Sequence, residues 1–184
     1  MWNTLRQIAR VGVVTQPPPL ADEALRIREA LQSRIRQVLG RALCIRAIDA
    51  GSCNGCELEI HALNNPIYNV EALGIRFVAS PRHADLLLVT GPVAKNMQAA
   101  LRRSYEATPD PKLVVAVGDC GCSGGVFGES YASLGRVANV IPVDVIVPGC
   151  PPSPSRILAG ILTAISPPPQ APALPPRSGP ALPP

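Results

Sequence analysis

Aromatic side chains are nearly missing from this sequence: Phe, Trp and Tyr together make up 3% of its 184 residues. Any core must therefore be aliphatic, and hydrophobic residues at 47% are enough to build one domain without disulfide staples. Long apolar runs are missing as well. None approaches the roughly 18 residues of a membrane span, and no apolar stretch near the N-terminus precedes a small-residue cleavage site. The expectation is a chain with no signal peptide and no transmembrane helix, soluble or peripheral to a membrane. No aromatic-plus-basic surface pattern is present, which argues against a nucleic-acid partner. No Walker-type phosphate loop occurs, and no Gly-x-Gly-x-x-Gly follows an expected strand, so nucleotide and nicotinamide chemistry are not indicated. What the chain does have is six cysteines. In a reducing compartment, clustered thiols point to metal or redox chemistry rather than to disulfides.

Charge is mild but uneven. Residues 1–46 hold eight arginines against three acids, while the remainder holds nine basic and ten acidic residues. The positive charge thus belongs to an N-terminal segment. Residues 1–19 are irregular and end in Pro17-Pro18-Pro19, which breaks a helix. Residues 20–41 read as a basic amphipathic helix, with Leu20, Ala24, Ile27, Leu31, Ile35 and Val38 at three- and four-residue steps. Such a helix either packs on its own domain or lies on a membrane or partner subunit.

From residue 42 to 166 strands and helices alternate. Strands are expected at 42–49, 74–80, 84–91, 112–119 and 143–149. Helices are expected at 56–65, at 94–107 and at 153–165, the last capped by Ser153 or Ser155. Alternation of this kind defines an α/β domain with a mainly parallel sheet. Residues 167–184 contain nine prolines in 18 positions and read as a disordered or polyproline-like tail.

Placed on this map, the thiols fall into a pattern. Cys53 and Cys56 follow the strand ending at Asp49, Cys120 follows 112–119, and Cys150 follows 143–149. Each comes directly after a strand, in a turn rich in Gly or Pro. In a parallel sheet the carboxyl ends of the strands line one edge, where ligands bind, so four thiols far apart in sequence can converge. The small residues of "GDCGCSGG" offer close approach and backbone N–H donors. Helix N-termini near Cys56 and Cys150 favour thiolate over thiol. Four convergent thiolates suit a [4Fe–4S] cluster or a structural zinc. Cys44 sits inside a strand and reads as inert. Cys122, two residues after Cys120, could replace it or lie idle.

The motifs "GSCNGCELE", "VTGPV", "GDCGCSGGVF" and "VIPVDVIVPGCPP" resemble those of one family, over roughly Arg41 to Ile165. It is that of the 20 kDa subunit of respiratory complex I and the small subunit of membrane-bound [NiFe] hydrogenases. The resemblance implies a flavodoxin-like, three-layer fold and one [4Fe–4S] cluster held by Cys53, Cys56, Cys120 and Cys150. It also matches Glu59 to an acidic residue near the cluster, a possible proton relay. Complex I subunits have two adjacent cysteines at the first site. The Cys-Asn-Gly-Cys found here is similar to the hydrogenase-4 and formate hydrogenlyase type instead, and Asn139 departs from the complex I pattern too.

After four ligands only Cys44 and Cys122 remain, short of the four cysteines that a [NiFe] centre takes in that family. The resemblance therefore implies an electron-transfer subunit without a complete active site. Its partners would be a catalytic large subunit, which can carry the [NiFe] centre, a ferredoxin-like Fe–S subunit, and membrane-arm subunits, on the cytoplasmic side of the inner membrane. Two alternatives stay open: a quinone-reducing Fe–S subunit of a complex I-like NADH dehydrogenase, and a zinc-stapled scaffold without redox chemistry. Neither His61 nor His83 has an evident nucleophile beside it; His61 reads as a surface or capping residue, with facing a partner or relaying a proton as the alternative. Glu57 reads equally as a proton carrier or as part of a solvated helix face. Arg76 and Arg82 are candidates to balance a negative cluster, with a surface role for Arg82 as an equal alternative.

Overall fold

The computed structural model describes residues 23–166 continuously, together with the single positions Trp2, Arg6 and Arg10. Trp2, Arg6 and Arg10 are helical, which departs from the irregular reading of 1–19 at those positions; the expectations for the rest of 1–19, for residues 20–22 and for the Pro-rich tail 167–184 lie outside the described residues.

The elements run α1 (Glu23–Leu39), β1 (Leu43–Asp49), α2 (Gly55–Ala62), β2 (Ile75–Phe77), β3 (Leu86–Thr90), α3 (Gln98–Ala107), β4 (Leu113–Val117), α4 (Gly118–Ser123), β5 (Val145–Val147) and α5 (Pro154–Ile165). The five strands form one sheet in the order β2-β1-β3-β4-β5. Every neighbouring pair is parallel. This is the flavodoxin-like strand order, with its switch point between β1 and β3.

Both faces of the sheet are covered, and the strands show it residue by residue. All five side chains of β3 are buried. Leu86 and Leu88 enter one core cluster with Leu31, Ile35, Ile60, Ile157 and Ile161. Leu87 and Val89 enter the other with Leu101, Val137 and Ile141. The period of two sorts alternate side chains to opposite faces. One helical layer is thus α1, α2 and α5, and the other is built on α3 and the 137–141 segment.

The basic helix uses its apolar stripe at home. Leu31 and Ile35 are buried in the core, and Arg34 Nε donates to the Ile165 carbonyl at the end of α5, 3.3 Å away. Burying each such aliphatic side chain contributes roughly 1.5–3 kcal/mol. Val38, at the end of that stripe, and Leu25, beside it, stay about half exposed and open to another surface.

Most elements are shorter than the sequence reading has them, and three of the differences have a non-local reason. The helix expected from residue 94 begins at Gln98. Ala94 N–H is taken by the Ala50 carbonyl and Lys95 N–H by the Ala132 carbonyl, which holds Ala94 in a bridge to Ser133 and leaves residues 95–97 as a turn before the helix. β2 shrinks to Ile75–Phe77 because it pairs only with β1, at the sheet edge. The strand expected over 112–119 ends at Val117, and its last two positions together with the expected turn after it form a short helix, α4. At α5, Ser153 occupies the N-cap without a side-chain hydrogen bond and Pro154 starts the helix, where its missing N–H costs nothing.

Candidate metal centre

The carboxyl edge of the sheet gathers the loops that carry the thiols. Asp49 closes β1 and its Oδ1 accepts from Gly51 N–H and Ser52 N–H, both at 2.8 Å. That Asx-type turn leads the chain to Cys53 and then into α2, where Cys56 sits in the first turn. β4 runs straight into α4, which carries Cys120 and Cys122. β5 ends in Val147-Pro148-Gly149-Cys150-Pro151-Pro152. Asp119 N–H donates to the Gly149 carbonyl at 2.9 Å, and Asp119 Oδ1 accepts from Gly149 N–H at 2.7 Å. The Cys120 and Cys150 loops are therefore tied to one another.

Electrostatics shows which thiols share a neighbourhood. Burial pushes the Cys56 thiol up to about 12, and repulsion from Glu57, Cys120, Cys53 and Cys150 adds to it. Cys120 is raised by burial first, then by Cys150 and Cys53. Such repulsion is felt over roughly 10 Å or less, so Cys53, Cys56, Cys120 and Cys150 form one group. Cys56 and Cys120 are half-buried while Cys53 and Cys150 are exposed at the rim. The direction for Cys56 corrects the expectation drawn from helix dipoles. Cys56 lies within α2, and loss of solvent outweighs the dipole.

Glycines shape the wall of this corner. A Cβ on Gly118 would stand 2.5 Å from Cys56 Sγ, and one on Gly125 would stand 2.7 Å from Cys120 Sγ. Both have positive φ, 84° and 55°, a region that side chains disfavour. Among the described residues no group of three His, Cys, Asp or Glu side chains is placed to hold a metal ion. Thiolates around one zinc stand only about 3.8 Å apart, given a Zn–S bond of about 2.3 Å. In a [4Fe–4S] cluster each thiolate takes a different iron, so the sulfurs sit farther from each other.

The remaining cysteines belong elsewhere. Cys44 lies in β1 near its amino end, its thiol directed at the Ala42 carbonyl. It lines a cavity of about 760 Å³ with Arg82, His83 and Asp85, at the opposite edge of the sheet. Cys122 points back along β4, with Sγ 3.6 Å from the Ala116 carbonyl, and burial raises its thiol. Arg82 stands with Cys44 and away from the thiol corner, and Arg76 is level with Cys44 in register. His61 and His83 are both exposed.

One residue reads differently from its sequence context. Both carboxylate oxygens of Glu57 are buried and lack a hydrogen-bond partner, so Glu57 is not on a solvated face. It shares a helix face with Ile60, three residues on, which is buried. Across eight residues of helix that stripe is too short to stand out in sequence. Glu59, two residues on, is half-buried.

The fold and site define a parallel, flavodoxin-like α/β domain whose carboxyl edge carries the loops of Cys53, Cys56, Cys120 and Cys150. Comparison with known sequences narrows this. Residues 53–164 match the model of the family described as NADH ubiquinone oxidoreductase, 20 kDa subunit, and the chain belongs to that family. It is 47% identical over 141 residues to the probable membrane-bound hydrogenase subunit mbhJ of Pyrococcus furiosus, covering 75% of this chain and 84% of that one. It is 39% identical over 148 residues to formate hydrogenlyase subunit 7 of Escherichia coli, covering 80% of this chain and 57% of that one. An NADH-quinone oxidoreductase subunit of Desulfovibrio desulfuricans is 44% identical over 124 residues, with 67% and 66% covered. Among solved structures, a chain of the membrane-bound sulfane sulfur reductase, an archaeal respiratory membrane complex, matches with a TM-score of 0.60 at 34% identity over 74% of each chain. A chain of the NAD+-reducing [NiFe]-hydrogenase shares the fold, with a TM-score of 0.53 at 20% identity over 67% of this chain and 92% of that one.

Proposed function

We infer that this chain is the iron–sulfur electron-transfer subunit of a membrane-associated, complex I-related hydrogenase of the hydrogenase-4 or formate hydrogenlyase type. It would hold one [4Fe–4S] cluster through Cys53, Cys56, Cys120 and Cys150, next to a catalytic large subunit. The observation that carries this reading is that the loops bearing those four thiols follow the carboxyl ends of β1, β4 and β5 in one parallel sheet, with the Cys120 and Cys150 loops tied together through Asp119 and Gly149. Four thiolates held so close would repel one another, so they would deprotonate together only around a cationic core that neutralises them. When bound, such a cluster supplies one-electron transfer.

The chain's own residues do the rest. Cys56 and Cys120 grip from the half-buried side, and Cys53 and Cys150 close the exposed rim. Gly118 and Gly125 leave the room that a side chain would fill. Asp119 ties two of the ligand loops together. A lone one-electron centre needs neighbours on both sides. Val126, Phe127 and Tyr131, 96%, 61% and 91% exposed, follow Cys120 closely, and Leu58 follows Cys56. Apolar side chains exposed at the redox corner suit a protein partner there. None of the described helices is long and apolar enough to cross a membrane, so attachment would be peripheral, through the membrane-arm partner, on the cytoplasmic side of the inner membrane. Glu59 remains a possible proton relay on α2.

The test is anaerobic purification with metal analysis and visible spectra. A brown protein with about four irons, bleached by dithionite, is the expected result. Cys53→Ala, Cys56→Ala, Cys120→Ala or Cys150→Ala should each abolish iron binding, whereas Cys44→Ala and Cys122→Ala should retain it. Equal iron loss in all six variants, or colourless protein with stoichiometric zinc, would overturn the reading.

A further inference from the structure

The loop after β3 carries no thiol, yet it lies between two segments that do. β3 is the central strand, flanked by β1 and β4. Its continuation, Gly91-Pro92-Val93, is buried throughout. Two hydrogen bonds close this loop around Ala50. Ala50 N–H donates to the Thr90 carbonyl at 3.0 Å, and Ala94 N–H donates to the Ala50 carbonyl at 2.8 Å. From the other side, Val93 N–H reaches the Gly135 carbonyl at 2.8 Å and Leu134 N–H reaches the Val93 carbonyl at 2.7 Å. Gly91 makes the closest approach to a thiol-bearing segment. Its φ is 76°, and a Cβ there would stand 2.6 Å from Ser52 N and 2.8 Å from Ser52 Cα. The Gly91 carbonyl faces α4, 3.7 Å from the point where a Cβ on Gly121 would stand. Ser52 precedes Cys53, and Gly121 follows Cys120.

We propose that Gly91 is a positioning residue for the cluster: its bare backbone is the spacer that sets where Cys53 stands relative to Cys120. The proposal rests on the functional reading above, which makes both cysteines ligands. Cys53 is exposed at the rim, so burial of its own side chain does not hold it. The backbone around it does. Asp49 Oδ1 accepts from Gly51 and Ser52 N–H, the Ser52 hydroxyl accepts the Asn54 N–H at 3.1 Å, and Gly91 backs Ser52 from behind. What a side chain at 91 would meet is backbone, not the end of a flexible side chain. The Cys53 loop would have to move to admit it, away from a loop that is itself pinned at Thr90, Val93 and Ala94. Groups behind metal ligands act by orienting them, and losing one costs about 10–100-fold in affinity.

The test compares full-length, iron-loaded chains purified anaerobically. Gly91→Ala should release iron to a chelator at least about tenfold faster than wild type, and its cluster should show a changed EPR spectrum and a shifted midpoint potential. Gly51→Ala probes the same contact from the other side, since its Cβ would stand 3.0 Å from the Pro92 carbonyl and from Ala94 Cβ. It should move the same three readouts, and it decides the matter where Gly91→Ala fails to fold. Gly40→Ala is the control. Its φ is 62°, but an added Cβ there meets nothing within 4 Å, so it carries backbone strain alone. It should lower the melting temperature and leave the spectrum and the potential at wild-type values. Wild-type spectra and potentials in both Gly91→Ala and Gly51→Ala would overturn the proposal. So would an equal change in Gly40→Ala, which would make the effect one of strain alone. A wild type with four irons keeps the functional reading whatever Gly91 does, whereas an iron-free wild type sinks that reading and this proposal with it.

Discussion

Asp119 and Gly149 grip one another through two hydrogen bonds, backbone N–H to carbonyl at 2.9 Å one way and backbone N–H to carboxylate at 2.7 Å the other. Each residue stands one position ahead of a thiol, Asp119 before Cys120 and Gly149 before Cys150. β4 and β5 are already paired as far as Val117 and Val147, and this clasp carries their alignment past the sheet into the loops.

Breaking the clasp should separate folding from metal retention. Asp119→Ala leaves the half-buried Gly149 N–H without its carboxylate, at a cost of about 1–3 kcal/mol. Urea unfolding of the iron-free chain should show that loss. The iron-loaded variant should release iron to a chelator faster than wild type, because two of the four thiols are no longer aligned. Unchanged release would show that the ligand loops are held by other contacts.

The two glycines at the thiols should be far less replaceable than a glycine in the same loop without a neighbour. Gly118→Ala and Gly125→Ala each carry the strain of a left-handed backbone, about 1–2 kcal/mol. Each also drives a Cβ to within 2.5 or 2.7 Å of a sulfur atom. Gly128, at φ 54°, has nothing within 4 Å of an added Cβ, so Gly128→Ala carries strain alone. Iron stoichiometry should fall in the first two variants and hold in the third.

At the far edge of the sheet, Asp85 matters more than its cation. Its Oδ2 accepts the Cys44 N–H at 2.9 Å, while its own N–H donates to the Cys44 carbonyl at 2.8 Å, which extends the β1–β3 ladder by a side chain. Arg41 pairs with the same carboxylate, but its side chain is 60% exposed against 17% for Asp85. Asp85→Ala should cost about 1–3 kcal/mol, and Arg41→Ala distinctly less, with the difference between them persisting in high salt. Thermal melts at low and high salt would decide it; equal losses would mean that the ion pair, not the backbone contact, carries the stability.

Much of this architecture could be read directly from the chain. Strand periodicity, the apolar run of 86–90 and the turn residues after 49, 117 and 147 are local properties, set by side chains a few positions apart. So was the position of each thiol directly after a strand, from which convergence follows once the sheet is parallel. The start of α3 at Gln98 was not legible, because Ala50 and Ala132, remote in sequence, hold residues 94 and 95. Nor was the helix at 118–123, whose Gly-Asp-Cys-Gly-Cys-Ser composition has poor helix propensity. Its first residues are held by the clasp to Gly149.

By itself the sequence determined the alternation of elements, the aliphatic core and which four thiols could meet. Tertiary structure alone decided what surrounds them. It made burial win over helix dipoles at Cys56, turned Cys122 toward the Ala116 carbonyl, and sealed the Glu57 carboxylate away from water without a partner. The reason is physical: propensity and spacing act through neighbours along the chain, whereas desolvation and charge repulsion depend on which distant segments the fold brings alongside.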